Sequence, residues 1–495
     1  MAHPATKPIP AHGPQENRFP EMAFEVGDPA NPHNFRPLYK AWLVSQMSLL
    51  ALSGALGSSI ISSAASEISD YINVGSEVTS LTVALYVLGW ALGPMIWAPT
   101  SELYGRRMGM LPALFVMGCF TLGTAGSTTA ASVFMTRFIG GIFASAPISN
   151  VPAALGDLYS PEARGIAMTF VSICISGGPT LGPIIGAAIV SNANLGWRWT
   201  MYIQAILVFV LAVLCLFCLP ETYAPVLLKA KAKHLRKTTG DQRYWHPHEL
   251  EQIDLRNVLT KYLSRPLRML LTEPLVTCLA LYASFTYSLI YLTLEVFPIV
   301  FRENRHWKPI PSTLPFLGIL TGVISAALIQ LLNQPLYKRA VRKNNGKAVP
   351  EARLPPLIAG GLLLTAGLFW FGWTAAPKYM WLLPTVAGGF IGAGFTVVFQ
   401  QCLNFLVDAY GPYAASAVSA NTILRSILAC AMPVAARPMF LNMGVAPAAS
   451  LLGGVSCLAL PVPFLLMRYT TFLRQKSRFA LKSLACGLKS IRVEG

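Results

Sequence analysis

Two charged residues interrupt long apolar stretches that hold no other charge. Arg137 lies near the middle of the stretch 129–151, and Glu295 lies within the stretch 274–301. In a membrane-spanning helix such a charge costs about 3 kcal/mol or more, so it should face a protein interior or a wet cavity. Arg137 can then serve ion or proton movement, or only hydrogen-bond carbonyl groups between helices. Glu295 can exchange a proton, or lie near the outer headgroups and be satisfied by water or Arg302.

Charged residues cluster within the short segment 100–107, which contains Ser101-Glu102-Leu-Tyr-Gly105-Arg106-Arg107. A tight turn at the glycine would place charges at two helix ends, where ion pairs could latch one end of a helix bundle. Exposed ion pairs contribute little stability, so the position of these charges matters more than their number. The candidate gating residues are Glu102, Gly105, Arg106, Arg107, Asp157 and Arg164.

The segment 177–186 combines glycines and prolines inside an apolar stretch. Glycines four residues apart let two helix backbones approach closely, and prolines remove backbone donors and bend a helix. This pattern predicts a kinked helix whose flat face seals against a neighbour, although ordinary small-residue packing explains part of it. The residues concerned are Gly178, Pro179, Gly182, Pro183 and Gly186.

Polar side chains in other apolar stretches are candidates for lining a cavity for a small organic molecule. We expect Arg425 to be buried like Arg137 and to pair with the end of the bundle that holds Asp408. Since the sequence has no nucleotide-binding loop, metal-ligand motif or catalytic triad, it predicts no cofactor, no metal and no enzyme. The cavity candidates are Gln46, Tyr287, Tyr291, Gln400, Gln401, Asn404, Asn421 and Arg425.

The composition indicates a membrane protein. Of 495 residues, 54% are hydrophobic and only 12% are charged, whereas soluble domains carry about 25% charged residues. A helix needs about 20 apolar residues to cross a bilayer. The sequence therefore predicts an all-α protein with twelve spans, at 41–62, 79–99, 108–127, 129–151, 165–190, 199–219, 274–301, 312–334, 355–375, 380–407, 414–436 and 446–468.

Basic residues set the expected orientation. With Arg468 at the end of the last span counted in the C-tail, thirty of the 38 lysines and arginines lie in the two tails, the central loop and alternate short loops, and six lie in the other loops. Positive loops stay in the cytoplasm, so both termini should be cytoplasmic. The net charge of +17 then reflects orientation and not nucleic-acid binding. The expected divisions are a disordered N-tail 1–40, a six-helix half 41–219, a central loop 220–273, a second half 274–468 and a basic C-tail 469–495. This C-tail either forms a helix on the inner leaflet or only continues the excess of basic residues on the cytoplasmic side.

A short sequence motif that occurs twice supports two equivalent halves, and we call this repetition the sequence echo. Leu155-Gly-Asp157-Leu-Tyr159 recurs as Leu406-Val-Asp408-Ala-Tyr410, in each case at the end of the fourth span of a half. Six spans return the chain to the same side, so the halves would be parallel repeats, with the substrate held between them near the midplane.

Together these motifs resemble the major facilitator superfamily, and within it the fungal twelve-spanner drug:proton antiporters. The segment from Gly93 to Arg107 resembles the family's loop 2–3 signature. Arg137 and Gly141 match its helix-four signature, with Gly140 in place of the usual glutamine. The segment 178–186 matches the antiporter signature of helix five, although Ala187 stands where a second glycine is common.

The resemblance implies a monomeric exporter of small molecules that exchanges them for protons across the lipid bilayer of the plasma membrane, with an organellar membrane as a further option. It ties Arg137 to proton coupling, Glu102, Arg106 and Arg107 to locking of the inner gate, and helix five to preventing leak. A proton-coupled importer or organellar carrier would share the same fold and motifs. A receptor or enzyme on this scaffold lacks support, since no histidine lies inside a span.

Overall fold

Apolar helices dominate the computed structural model, which describes residues 22–25, 27–241, 243–249, 264–344 and 349–476. Within these residues twelve helices are long and apolar enough to cross a membrane, which confirms the predicted class and number. In chain order, α1 to α12 are Pro37–Ile72, Glu77–Tyr104, Arg106–Ala125, Ala130–Leu158, Ala163–Val190, Arg198–Cys218, Pro274–Glu303, Pro309–Lys343, Pro350–Thr374, Leu382–Tyr410, Ala414–Met443 and Val445–Tyr469.

Several helices extend further than the apolar stretches that predict them. The span predicted at 312–334 is part of α8, which continues to Lys343. An apolar window stops at the first charged residues, whereas the hydrogen bonds of a helix continue through them into water. Four helices, α1, α7, α8 and α9, begin with a proline, which is favoured there because its fixed φ suits a helix and its missing N–H would have no partner in any case.

The twelve helices form two equivalent halves, α1–α6 and α7–α12, called here the first and second half. In the first half α1 packs on α5, α2 on α4, α3 on α4 and α3 on α6. The second half repeats each pairing, with α7 on α11, α8 on α10, α9 on α10 and α9 on α12. This correspondence confirms the parallel repeat predicted from the sequence echo.

The halves meet mainly along two helix pairs, α2 with α11 and α5 with α8. The repeat relates these pairs to each other, because α8 is the counterpart of α2 and α11 is the counterpart of α5. Residues of both halves therefore face each other between these two contacts.

The segment after α6 packs at one end of the bundle, which we call the linker end. It contains the basic helix Ala224–Thr239 and a loop in which His248 Nε2 lies 3.1 Å from the carbonyl of Leu103. Lys231 of the basic helix pairs with Asp28, and its hydrogen bond lowers the pKa of that carboxyl group. The His248 contact attaches this segment to α2 of the first half, and the Lys231 pair attaches it to the residues that precede α1. The expectations for residues 1–21 and 477–495 lie outside the described residues.

Candidate functional site

The predicted gating residues form a latch between α3 and α4 at the linker end. Gly105 joins α2 to α3 with φ +100° and ψ 165°, a backbone region essentially restricted to glycine. Arg106 Nε donates to Asp157 Oδ2 at 2.8 Å, and Nη1 donates to Ser101 Oγ at 2.9 Å. The ion pair is largely buried, with side-chain exposures of 10% and 16%.

Glu221, which the sequence reasoning missed, completes this latch. Its carboxylate accepts the backbone N–H groups of Arg106 at 2.8 Å and Arg107 at 3.1 Å. These N–H groups lie at the start of α3 and have no partner within the helix. A carboxylate here accepts their hydrogen bonds, and its negative charge interacts favourably with the helix dipole. A Cβ on Gly105 would lie 2.2 Å from Glu221 Oε2, so a larger residue would displace the carboxylate from the N–H groups that it accepts. The signal was an acid directly after the sixth span, in Pro220-Glu-Thr-Tyr223.

The other predicted gating residues surround this latch without joining the ion pair. Arg107 donates to the carbonyl of Leu216 at the end of α6. Glu102 is half-buried on the last turn of α2. Arg164 is half-buried near the start of α5, and among the described acids none forms an ion pair with it.

A second latch lies at the equivalent place in the second half. Arg353, at the start of α9, donates from Nε to Asp408 Oδ2 at 3.0 Å, and the Tyr337 hydroxyl donates to the same oxygen at 2.9 Å. The expectation that Arg425 pairs toward Asp408 is therefore wrong, because Arg353 occupies that carboxylate. Arg353 is the counterpart of Arg106, and neither the residue nor its pairing was predicted.

Arg137 is buried, and each of its three guanidinium nitrogens donates a hydrogen bond to a backbone carbonyl group. Its Nε donates to Thr82 at 2.7 Å, Nη1 to Gly57 at 2.8 Å and Nη2 to Ser58 at 3.0 Å. The ring of Tyr86 lies 4.2 Å from its guanidinium carbon. Arg137 thus joins α4 to α1 and α2 just before α1 changes to 3-10 winding at Ile60–Ala64. It lies seven residues from the start of α4, nearer the end opposite the linker than the expected middle.

Arg425 is equally buried but has a different environment. Its side chain is 3% exposed, and its guanidinium carbon lies 4.4 Å from the ring centre of Tyr287 and 4.9 Å from that of Phe399. Its Nε has no hydrogen-bond partner. Among the described residues no carboxylate forms an ion pair with it.

Buried amide side chains form a layer slightly nearer the linker end than Arg425, which lies eleven positions inward on α11. Counted from the linker end of their helices, these residues lie seven to ten positions inward, which is about 10–15 Å. Gln400 Nε2 lies 3.4 Å from the Thr169 hydroxyl of the first half, yet several amide atoms of the layer lack partners. Asn404 is half-buried one turn further along α10. The layer consists of Gln46, Gln400, Gln401 and Asn421.

Two buried tyrosines on one face of α7 connect this layer to the first half. The ring of Tyr287 lies 5.0 Å from that of Phe399. The hydroxyl of Tyr291, one turn later, lies 3.1 Å from Ser58 Oγ of α1. Since the carbonyl of Ser58 accepts from Arg137, these contacts lead from Arg425 across the interface to Arg137.

Glu295 lines a cavity of about 320 Å³ at the end of the bundle opposite the linker. The cavity lies between α1 and α5 of the first half and α7, α8 and α11 of the second. Arg302 lines the same cavity, and the ion pair recorded there joins Arg437 to Glu303 at 2.8 Å. The structure thus places the predicted acid at a cavity between the halves.

The glycine face of α5 packs against α1 and not against the other half. A Cβ on Gly178 would lie 2.6 Å from Ala55 Cβ, one on Gly182 would lie 2.0 Å from Ser59 Oγ, and one on Gly186 would lie 2.3 Å from the Ile60 carbonyl oxygen. The Ser63 hydroxyl of α1 also donates to the Pro183 carbonyl at 2.7 Å. Pro179 and Pro183 both lie inside the helix. The close contact is therefore internal to the first half.

Comparison with known proteins agrees with this architecture. A family model described as Major Facilitator Superfamily matches residues 47–433. The structure of the proton:xylose symporter XylE bound to 6-bromo-6-deoxy-D-glucose superposes with a TM-score of 0.61 at 15% identity, over 88% of this chain and 96% of that one. At this identity the likeness shows the fold alone.

Curated fungal relatives match nearly the whole chain. The multidrug transporter FLU1 of Candida albicans is 35% identical over 97% of this chain and 80% of its own length. The efflux pump bik6 of Gibberella fujikuroi is 38% identical over 92% and 93% of the two chains. The citrinin biosynthesis cluster MFS transporter mrr1 of Monascus ruber is 40% identical over 92% and 91%. With twelve helices in two repeated halves, a family match over most of its length and these relatives, the chain belongs to the Major Facilitator Superfamily.

Proposed function

We propose that this chain exports small organic molecules in exchange for protons, by alternating access between its two halves. The observation that carries the proposal is the amide layer with Arg425, in which buried polar atoms lack partners. Such atoms are expensive to bury, and most buried polar groups in proteins are hydrogen-bonded. A site that binds a ligand during part of its cycle accounts for this cost. The names of the relatives, a multidrug transporter and an efflux pump, support export.

We infer the orientation from the charges. The basic helix Ala224–Thr239 lies at the linker end, which supports a cytoplasmic position for that end and for both termini. The Glu295 cavity then faces the outside. We place the protein in the plasma membrane as a monomer; accessibility of tags at both termini in intact and permeabilised cells tests the orientation, and fluorescence microscopy tests the compartment.

Proton coupling is assigned to Glu295 with Arg137 in support. A carboxyl group at the cavity can take a proton from outside water while that side is open. Tyr291 then links it by one helix turn to Ser58 and the Arg137 network. The latches at Arg106–Asp157 and Arg353–Asp408 stabilise each half at the cytoplasmic end, where Glu102, Arg107 and Arg164 lie nearby.

The test is dye efflux from vesicles that contain the purified full chain. Vesicles loaded with rhodamine 6G or fluorescein at pH 7.5 are diluted into buffer at pH 6.0, and a several-fold acceleration of efflux is expected for the exported dye. A protonophore should abolish the acceleration. Unchanged efflux with the protonophore present would overturn proton coupling, and gradient-driven accumulation in the same direction as the protons would indicate uptake instead of export.

Two variants separate Glu295 from general charge effects. Glu295→Gln should remove the response to the pH gradient while dye-for-dye exchange continues, because exchange needs no net proton movement. The matched control is Glu77→Gln, an exposed acid at the same end of the bundle, which should behave as the wild type. A Glu295→Gln protein that still responds to the gradient would refute the assignment.

A further inference from the structure

Four buried or largely buried arginines occur at described positions that the site includes, and three of them have strong acceptors. Arg106 and Arg353 each pair with an aspartate. Arg137 donates to three carbonyl oxygens. Arg425 alone among these four has no hydrogen-bond acceptor within the described residues, and its Nε is buried without a partner, although the residue is only 3% exposed.

The surroundings of Arg425 offer donors and flat surfaces. Its guanidinium lies against the rings of Tyr287 and Phe399, which stabilise the cation in part. Asn421 is one turn earlier on α11, so it lies on the same helix face. Its amide is fully buried, and neither its nitrogen nor its oxygen has a partner. Burying a charge without a counter-charge costs free energy, and a ligand that supplies the counter-charge lowers this cost.

We propose that the central site selects organic anions: an oxyanion, such as a carboxylate or phenolate, carried on a flat apolar skeleton. The guanidinium is the counter-ion because its planar N–H groups match a pair of oxygen atoms, and the Asn421 amide adds a further donor. The rings of Tyr287 and Phe399 receive the skeleton. The inference rests on the proposed function, since it names the substrate class of the same site.

The test uses three probes that share one ring system and differ in charge. They are 2-naphthoate, 2-naphthamide and 2-naphthylmethylammonium, titrated calorimetrically into the purified full chain at pH 7.5. The naphthoate should bind about ten- to a hundredfold more tightly than the amide, as expected for hydrogen bonds to a charged group. The cation should bind weakest. Equal binding of the amide or preference for the cation would overturn the proposal, and so would failure of the naphthoate to bind.

Variants locate the preference. Arg425→Met should reduce naphthoate affinity about ten- to a hundredfold and change naphthamide affinity by less than about threefold. Arg425→Lys keeps the charge without the planar group and should fall between the two. The control Arg342→Met removes an exposed arginine at the linker end and should leave all three affinities unchanged. Wild-type affinity of Arg425→Met for naphthoate would overturn the assignment. If this variant does not fold, the comparison of the three probes on the wild-type chain still tests the proposal.

The two proposals can fail separately. Gradient-driven dye export without any preference for naphthoate overturns the anion site and leaves proton-coupled export standing. A preference for naphthoate that depends on Arg425, in a protein whose dye movement ignores the pH gradient, supports the anion site and overturns proton coupling.

Discussion

The two halves share one scaffold but use their intramembrane arginines in different ways. In the first half each guanidinium nitrogen of Arg137 donates a hydrogen bond to a backbone carbonyl group of α1 or α2. In the second half Arg425 lies between aromatic rings with an unpartnered Nε. Composition and hydropathy cannot distinguish these residues, because each is the only arginine of its predicted apolar span, 129–151 or 414–436.

The difference separates a structural arginine from one that is available to a ligand. Removing Arg137 leaves buried acceptors without donors, whereas removing Arg425 leaves only a larger space between aromatic rings. By contrast, the latches at the linker end are alike in both halves, Arg106–Asp157 and Arg353–Asp408. The halves therefore agree in the parts that hold each of them together and differ at the place where they face each other.

The largest expected effect follows replacement of Arg137. Arg137→Met removes every guanidinium donor, so each of the three carbonyl groups loses a partner at about 1–3 kcal/mol. We expect the free energy of unfolding to fall by about 3 kcal/mol or more and transport of every dye to be lost together. Thermal unfolding of the purified chain measures this, and a melting temperature equal to that of the wild type would remove the distinction between the two arginines.

The next largest effect tests the likeness of the latches. Asp408→Asn removes the partner of a pair whose exposures are 7% and 5%, and breaking such a pair costs about 3–5 kcal/mol. Asp157→Asn should cost less, because its pair is 10% and 16% exposed and water screens it more. Thermal unfolding of both variants decides the order, and a larger loss for Asp157→Asn would contradict the burial argument.

A smaller effect is expected on the α5 face of the first half. In Gly182→Ala the new methyl group would meet Ser59 Oγ at 2.0 Å and the Ile60 backbone nitrogen at 2.8 Å, and such overpacking costs about 1–3 kcal/mol. The matched control is Gly177→Ala on the same helix, where the new group would meet only Leu320 of α8, at 3.4 Å. Equal melting temperatures for the two variants would refute the close contact of α1 with α5.

The smallest effect on stability belongs to Arg425 itself. Arg425→Met removes a buried charge that has no ion-pair partner among the described residues, so the free energy of unfolding should stay the same or rise by up to about 2 kcal/mol. The same thermal unfolding measurement checks the sign. A marked loss of stability would show that the arginine is structural, and the contrast with Arg137 would disappear.

The sequence predicted the spans and the repeat because both leave local signals. A bilayer requires about 20 apolar residues per crossing, and such stretches can be read one at a time. The echo at Asp157 and Asp408 is likewise a short pattern, and both aspartates lie in the last turns of equivalent helices.

The partners of the site residues could not be predicted for a physical reason. Glu221 caps α3 from 115 positions away along the chain, and Arg353 reaches Asp408 across 55. No local pattern encodes such pairings. The acceptors of Arg137 are backbone carbonyl groups, which every residue has, so the sequence left its two interpretations open. The roles of Glu295 and the amide layer in transport stay predictions.

The glycine contact between α5 and α1 joins two helices of the same half. If the halves rock as rigid bodies, this barrier to water travels with the first half and never has to re-form. The surfaces that change partners during a turnover would then include those along α2–α11 and α5–α8. The first half would then exclude water along this contact throughout the cycle. The pathway would open and close at the interface between the two halves.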